Sequence, residues 1–266
     1  MCGRIMAFRK VNFDSLAKFN SSLSSEFLEM YESFLLEDLE SERSSLPNRT
    51  IAPSSLRCKR KTWFRLKGTP PEISKLDTQL EFTAFLGSAI HENIQSRLRD
   101  HLGTSFLDVP NYLQEYVTDH QYSFKQNGLE TQIKLEDIPI QFACDGLVEL
   151  NDEIFLLEIK TVEYESWKNL SGIKQEHIDQ IICYCSLLHL DQALVIYIDR
   201  RYGNIKCYQL SVKESDKIAC LDTIQDILHL ANTNIAPEGL PSNDVWCSKG
   251  RCPYFNKCET FGRLNR

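Results

Sequence analysis

Apolar and polar residues change their spacing several times along this chain. Over residues 13–43, Phe13, Leu16, Phe19, Phe27, Leu28, Tyr31, Phe34 and Leu35 fall at helical intervals among many glutamates. That spacing predicts one or two acidic amphipathic helices. A loop containing Ser44, Ser45, Pro47 and Asn48 follows. A basic run from Arg57 to Lys67 is ended by Gly68, Pro70 and Pro71. Residues 78–100 read as another helix. From about 119 to 162 the segments YSFKQ, LETQIKL, IPIQFAC, LVEL and IFLLEIKTV predict strands. Asn127-Gly128 and Asn151-Asp152 are hairpin signals between them. A helix over 171–189, strands over 193–199 and 204–210, and a helix over 213–231 complete the pattern, with Gly203-Asn204 between the two strands. A tail rich in Pro, Gly and Cys closes the chain. There is no internal repeat and no low-complexity tract. The order predicts a mixed α/β core with a helical N-terminal part.

Composition narrows the class. The chain has 266 residues, 37 Asp+Glu against 30 Lys+Arg, a net charge of −7 and 42% hydrophobic residues. This is enough for one large or two small globular domains. The most apolar region, residues 178–198, is broken by Asp179, His189 and Asp191, so a spanning helix is not expected. The start, MCGRIMAFRKV, has no apolar signal region. A soluble, cytoplasmic protein with no membrane partner is the expectation. Its ten cysteines then favour metal ligation or core packing over disulfides. Cys144, Cys183, Cys185 and Cys207 sit in apolar runs and read as buried. Cys247, Cys252 and Cys258 sit among Gly, Lys, Arg, Pro and Asn, where packing is not the obvious reason.

The candidate chemistry begins at Asp145, in the turn Cys144-Asp145-Gly146. Glu158 follows on an apolar strand, and Lys160 two residues later faces the same side. Burying such charges is costly unless they are paired or bound to metal. The Asn151-Asp152 hairpin returns Asp145 beside Glu158. Two close carboxylates repel unless a cation sits between them, and oxygen-rich sites suit Mg²⁺ or Mn²⁺. The bland alternative is an incidental cross-strand Glu–Lys pair, because this spacing alone is common by chance. His177, Gln180 and Tyr184 share one helical face, as do Gly87 and His91. A mid-helix glycine costs about 1 kcal/mol relative to alanine and marks a close approach.

Taken in order, Gly87-x3-His91, Asp145, Glu158-Ile159-Lys160 and Gln180-x3-Tyr184 resemble the PD-(D/E)XK nuclease superfamily. The resemblance is to its RecB-like branch, which includes CRISPR-associated RecB-like exonucleases and the AddB nuclease domain. It spans residues 52–258 and departs at Cys144, where the family has Pro. It implies a restriction-endonuclease-like core, a mixed central sheet flanked by helices. It implies that His91, Asp145, Glu158 and the carbonyl of Ile159 hold divalent metal. It further implies that Lys160 orients or deprotonates water, and that Gln180 and Tyr184 position the lysine, water or strand. Cys58, Cys247, Cys252 and Cys258 resemble the iron–sulfur staple of the same branch. That implies a [4Fe–4S] cluster, with zinc the alternative for four thiolates. The spacing from Cys247 to Cys252 is longer than the family's usual one. Residues 1–50 would be an acidic helical extension, and 51–266 the nuclease domain closed by Cys58 and the 247–258 cysteines.

The charge is distributed unevenly. Residues 57–67 hold six Lys/Arg and no acid, which leaves −13 for the rest of the chain. Arg57, Lys59, Arg60, Lys61 and Arg65 are candidates for nucleic-acid phosphates. Trp63 and Phe64 read equally as base-stacking or core residues. The acidic N-terminal helices would cover the core or meet a partner. No phosphate-binding G-x4-G-K-[S/T] occurs. The reading is a metal-dependent DNA exonuclease acting on single-stranded ends or flaps, alongside a helicase or a recombination or replication partner. The alternatives are an endonuclease, a CRISPR-adaptation trimming nuclease, or a non-catalytic single-strand-binding subunit.

Overall fold

The computed structural model describes residues 21–44, 49–72, 77–127, 130–249 and 251–260. The helical positions Phe13, Leu16 and Phe19, the loop residues Ser45, Pro47 and Asn48, and the turn residue Gly128 lie outside them. The chain divides into two compact units, Met1–Ser45 and Leu46–Arg266. In the first, helix α1 (Ser21–Ser44) exposes Phe27, Leu28, Tyr31 and Phe34. Among the described residues no helix is long and apolar enough to cross a membrane.

The second unit opens with α2 (Lys59–Leu66) and α3 (Asp77–Leu102). There follow β1 (Phe106–Leu107), α4 (Val109–Tyr116), β2 (Tyr122–Asn127), β3 (Glu130–Leu135) and β4 (Gln141–Cys144). Then come β5 (Gly146–Leu150), β6 (Glu153–Val162), α5 (Tyr164–Lys168) and α6 (Gln175–Leu187). The chain ends with β7 (Gln192–Asp199), β8 (Ile205–Ser211), α7 (Glu214–Asn232) and α8 (Phe255–Thr260). The central sheet is mixed, in the order β1-β5-β6-β7-β8, with only β6 and β7 parallel. Strands β2, β3 and β4 form a separate antiparallel sheet. The molecule is thus a mixed α/β fold with helices on its central sheet.

Strand β6 is buried on both faces, which explains its continuous apolar run. On one face Leu157 and Ile159 pack against Ile90, Ile94 and Leu98 of α3. On the other, Leu156 and Val162 share a core with Ile181, Cys183 and Tyr184 of α6 and with Ile224 and Ile227 of α7. Asn151 and Asp152 both adopt positive φ (53° and 64°) and close a two-residue hairpin that pairs Leu150 with Glu153. This geometry matches the right-handed twist of the strands.

Several expectations change. Helix α6 begins at Gln175 rather than 171, because Ile173 and Lys174 run in as a loop. The basic run is helical, and Trp63 and Phe64 belong to a core cluster with Ala231 and Tyr254. The stacking reading of those two residues therefore falls. Helix α4 has no counterpart in the apolar spacing. Its start is marked by Asp108, whose side chain accepts from the Asn111 N–H at 2.9 Å, and by Pro110 in the first turn. Cys207 is exposed, on the outward face of the edge strand β8, and not buried as its apolar run implied.

The strand start after Asp145 requires a glycine. A Cβ on Gly146 would lie 2.7 Å from Cζ of Phe106, a ring packed in the α3-side core. Gly146→Ala should therefore cost about 1–3 kcal/mol by overpacking. In a Phe106→Leu background it should cost at least about 1 kcal/mol less. Urea denaturation of the four proteins in this cycle measures the coupling, and simple additivity would disprove the contact.

Candidate active site

The β5–β6 pairing sets Gly146 opposite Leu157, so Asp145 lies beside the middle of β6. Oδ2 of Asp145 accepts the backbone N–H of Ile159 at 2.7 Å, and Oδ1 lies 3.2 Å from Nδ1 of His91. Gln95, one turn beyond His91 on α3, donates to the Asp145 carbonyl at 2.7 Å. Gly87, one turn before His91, meets β6 directly: a Cβ there would lie 3.3 Å from Oγ1 of Thr161. The Gly87–His91–Gln95 face thus fixes α3 against Asp145.

Glu158 and Lys160 project together on the opposite face, towards α6. Nζ of Lys160 lies 2.5 Å from Oε1 of Glu158 and donates to Oε1 of Gln180 at 3.1 Å. Nε2 of Gln180 donates to Oε1 of Glu158 at 3.1 Å and to the Tyr184 hydroxyl at 2.7 Å. Glu158 is only 3% exposed. Burial raises its pKa well above the usual carboxylate range, against the opposing pull of the Lys160 ammonium.

A further carboxylate joins the site. His91, Glu130 and Asp145 each offer one ligand atom, and these atoms lie within 4.8 Å of one another. Burial, followed by the charge of Asp145, pushes the Glu130 pKa up. For His91, burial pulls the pKa down, but the hydrogen bond and charge of Asp145 outweigh it and the net shift is upward. Glu130 escaped the sequence reading. It opens β3, whose alternation places it on the half-exposed side with Gln132 and Lys134. Its signal lies in register: Thr131 pairs with Cys144, and one further step sets Glu130 across from Asp145. Gln95 was visible as a continuation of Gly87-x3-His91 by another four residues.

A cavity of about 370 Å³ adjoins this site. Cys58, Cys247, Cys252 and Cys258 line it, together with Lys160, His177 and Gln180. The chain segments that carry the cysteines are fastened by protein contacts. Phe64 stacks on Tyr254 at 5.2 Å, and the Glu72 N–H donates to the Pro253 carbonyl at 2.7 Å. Nη1 of Arg60 lies 3.5 Å from Sγ of Cys258.

The basic residues fare unequally. Arg60 is 2% exposed, and its Nε donates to the Pro237 carbonyl at 2.7 Å. It braces the interior and is not available to a phosphate. Arg57 pairs with Asp244 at 2.6 Å and with Glu176 at 3.4 Å. Lys59 lies 4.0 Å from Asp226. Lys61 lines the cavity, and Arg65 lies in the last turn of α2.

No family model and no curated protein matches the chain. Among solved structures, the crystal structure of SSO0001 matches at a TM-score of 0.52 and 19% identity, covering 90% of this chain and 100% of that one. The crystal structure of an alkaline exonuclease (LHK-Exo) from Laribacter hongkongensis matches at 0.39 and 15% identity, covering 73% of this chain and 93% of that one. Its complex with dAMP matches at 0.43, with the same identity and coverage. The likeness to SSO0001 is one of fold. The two exonuclease matches are too distant in shape to bear on activity.

His177 supplies a pH test of this wall. Its Nδ1 lies 2.6 Å from the Tyr197 hydroxyl, a bond that a neutral imidazole can accept. Burial, then the charges of Lys160 and Lys174, depress its pKa to about 3. The unfolded chain takes up this proton near pH 6.5, before the folded one does. Stability is therefore complete above that pH and falls as pH drops towards 3, by at most about 1.4 kcal/mol per unit. In urea denaturation at pH 7 and pH 5, His177→Gln should lose clearly less stability than the parent. Equal losses would show that His177 protonates within the fold.

Proposed function

We propose that this chain is a divalent-metal-dependent deoxyribonuclease of the RecB-like PD-(D/E)XK type, an exonuclease acting on single-stranded ends or flaps. The carrying observation is the gathering of His91, Glu130 and Asp145 beside the Glu158–Lys160–Gln180–Tyr184 network. One imidazole and two carboxylates within 4.8 Å fit Mg²⁺ or Mn²⁺. His91, Asp145, Glu158 and the Ile159 carbonyl are the ligands the family resemblance implies; His91 and Asp145 gather with Glu130, while Glu158 stands outside that group with its Oε1 engaged by Lys160 and Gln180. When bound, the metal ion polarises the phosphoryl oxygen and lowers the pKa of its water.

The protein's own groups then divide the work. Asp145 is locked by the Ile159 N–H, so its other oxygen, beside His91, keeps a fixed direction. Lys160 is drawn between Glu158 and Gln180, which aims its ammonium at the attacking water and at the charge that builds on phosphorus. Gln180 is oriented by its bond to Tyr184, and so holds both Lys160 and Glu158 in place. Water adds to phosphorus, the bond to the leaving sugar oxygen breaks, and that oxygen takes up a proton. Lys61, which lines the same cavity as Lys160, is the best placed of the basic candidates for a neighbouring phosphate.

The four cysteines fit a [4Fe–4S] cluster. All four line one cavity. A tetrahedral zinc site is the alternative for four thiolates. When bound, the cluster cross-links residue 58 to the tail. This is a structural role.

Anaerobically purified protein with labelled single-stranded DNA and Mn²⁺ should yield short labelled products, and Lys160→Ala should yield none while still binding the strand. Equal cleavage by both proteins would sink the assignment. Ladders shortening from one end support the exonuclease, whereas internal fragments would indicate an endonuclease. A shifted but intact strand in both lanes would indicate a non-catalytic binding subunit.

Cys58→Ser should lose most bound iron and the visible absorbance of the parent, and should unfold at lower urea. A stable, active, iron-free parent would refute the cluster.

A further inference from the structure

The turn after β7 carries an exposed aromatic ring that the site described above does not use. Tyr202 is 62% exposed, yet its backbone is rigidly built. Asp199, 1% exposed, accepts the N–H groups of Arg201, Tyr202 and Asn204 at 2.9, 2.7 and 2.8 Å, and the Asn204 side chain at 2.7 Å. Gly203 takes φ 72°, the left-handed conformation that completes the turn. Arg200 pairs with Glu163, tying the turn to the entry of α5.

The ring is also braced from the side. Tyr164 meets Tyr202 edge-on at 4.9 Å and stacks with Trp167 at 6.4 Å. The Arg201 guanidinium lies 5.1 Å from the Tyr202 ring centre. The Lys206 ammonium lies 4.4 Å from the Trp167 ring centre and donates to the carbonyls of Trp167 and Leu170, each at 2.8 Å. Residues 163–168 and 200–206 carry four cations and two anions, and one of those anions is taken by Arg200.

The position relative to the chemistry follows from register. Lys160 pairs with Tyr197, and Tyr197 with Lys206, across β6, β7 and β8. Two strand spacings place Lys206 about 10 Å from Lys160. The Tyr202 turn caps the same ends of β6 and β7, since the Arg200 N–H donates to the Val162 carbonyl at 3.0 Å. A cationic, aromatic surface at the end of the strand that carries Lys160 suits an unpaired nucleotide. Its ring offers a stacking face to any base, and its arginine offers a charge to the phosphate.

We propose that Tyr202, with Arg201, stacks an unpaired base of the bound strand. This rests on the nuclease reading. Full-length Lys160→Ala protein, which holds the strand without cutting it, is titrated into fluorescein-labelled oligothymidylate and into an abasic strand of equal length, both with Mg²⁺. Adding Tyr202→Ala should weaken oligothymidylate binding about tenfold, as for the loss of one stacked base. It should leave abasic binding unchanged, and Tyr202→Trp should restore the affinity. Equal weakening on both strands would show a structural role, and no weakening on either would show a bystander. Both results overturn the proposal. Absence of Lys160-dependent cleavage by the wild type would overturn the nuclease reading instead.

Discussion

The hydrogen bond from the Ile159 N–H to Asp145 is the constraint around which the site is arranged. It joins the end of β4 to the middle of β6, and it exists only in one register of the β5–β6 hairpin. A slip of one residue would turn Glu158 and Lys160 towards α3 and bring Leu157 and Ile159 to the α6 side. The two positive-φ residues at Asn151 and Asp152 make that slip costly, because the turn geometry fits only a two-residue loop. His91, Glu130 and Gln95 then converge on Asp145 from α3 and β3. Gln180 and Tyr184 reach Glu158 and Lys160 from α6.

This arrangement concentrates charge where water is scarce. Glu158 is fully enclosed, and its pKa is driven up by that enclosure even with an ammonium 2.5 Å away. Burying such a pair without further partners is commonly unfavourable. Here Gln180 supplies the missing donor to Glu158 and the missing acceptor for Lys160, so one amide satisfies both charges. An amide is suited to the task because it donates and accepts along one plane. Replacing it by a carboxylate or an amine would leave one partner unsatisfied.

Much of this was legible in the chain, for reasons that can be named. Strands β2 to β8 show through because alternation and apolar runs follow directly from which faces are covered. The Asp145–Glu158–Lys160 triplet was visible because the Asn151-Asp152 hairpin is a local signal and fixes a non-local contact. Glu130 was hidden because its role depends on the β3–β4 register, and its strand reads as an ordinary half-exposed one. Arg60 looked like a surface cation because its neighbours are basic. Only the fold shows it enclosed between Pro237 and Cys258. Cys207 looked buried because β8 is apolar on alternate positions, but β8 is an edge strand and its outward face is exposed. Residue type and spacing carry the local elements. The packing partners of α2 and of the tail come from tertiary contacts that no spacing encodes.

Those tertiary contacts link the cysteine segment to the surroundings of Lys160 and Gln180. Helix α2 is held on the C-terminal turn of α7 by Trp63 and Lys67, which donate to the carbonyls of Leu230 and Ala231 at 3.2 Å each. It also contacts the tail through Phe64 and Tyr254. Cys58 precedes the first turn of this helix and lines the same cavity as Lys160 and Gln180. Loosening the tail would therefore disturb the lining of the cavity that Lys160 shares. The residues that close the fold here thus line the same cavity as Lys160 and Gln180.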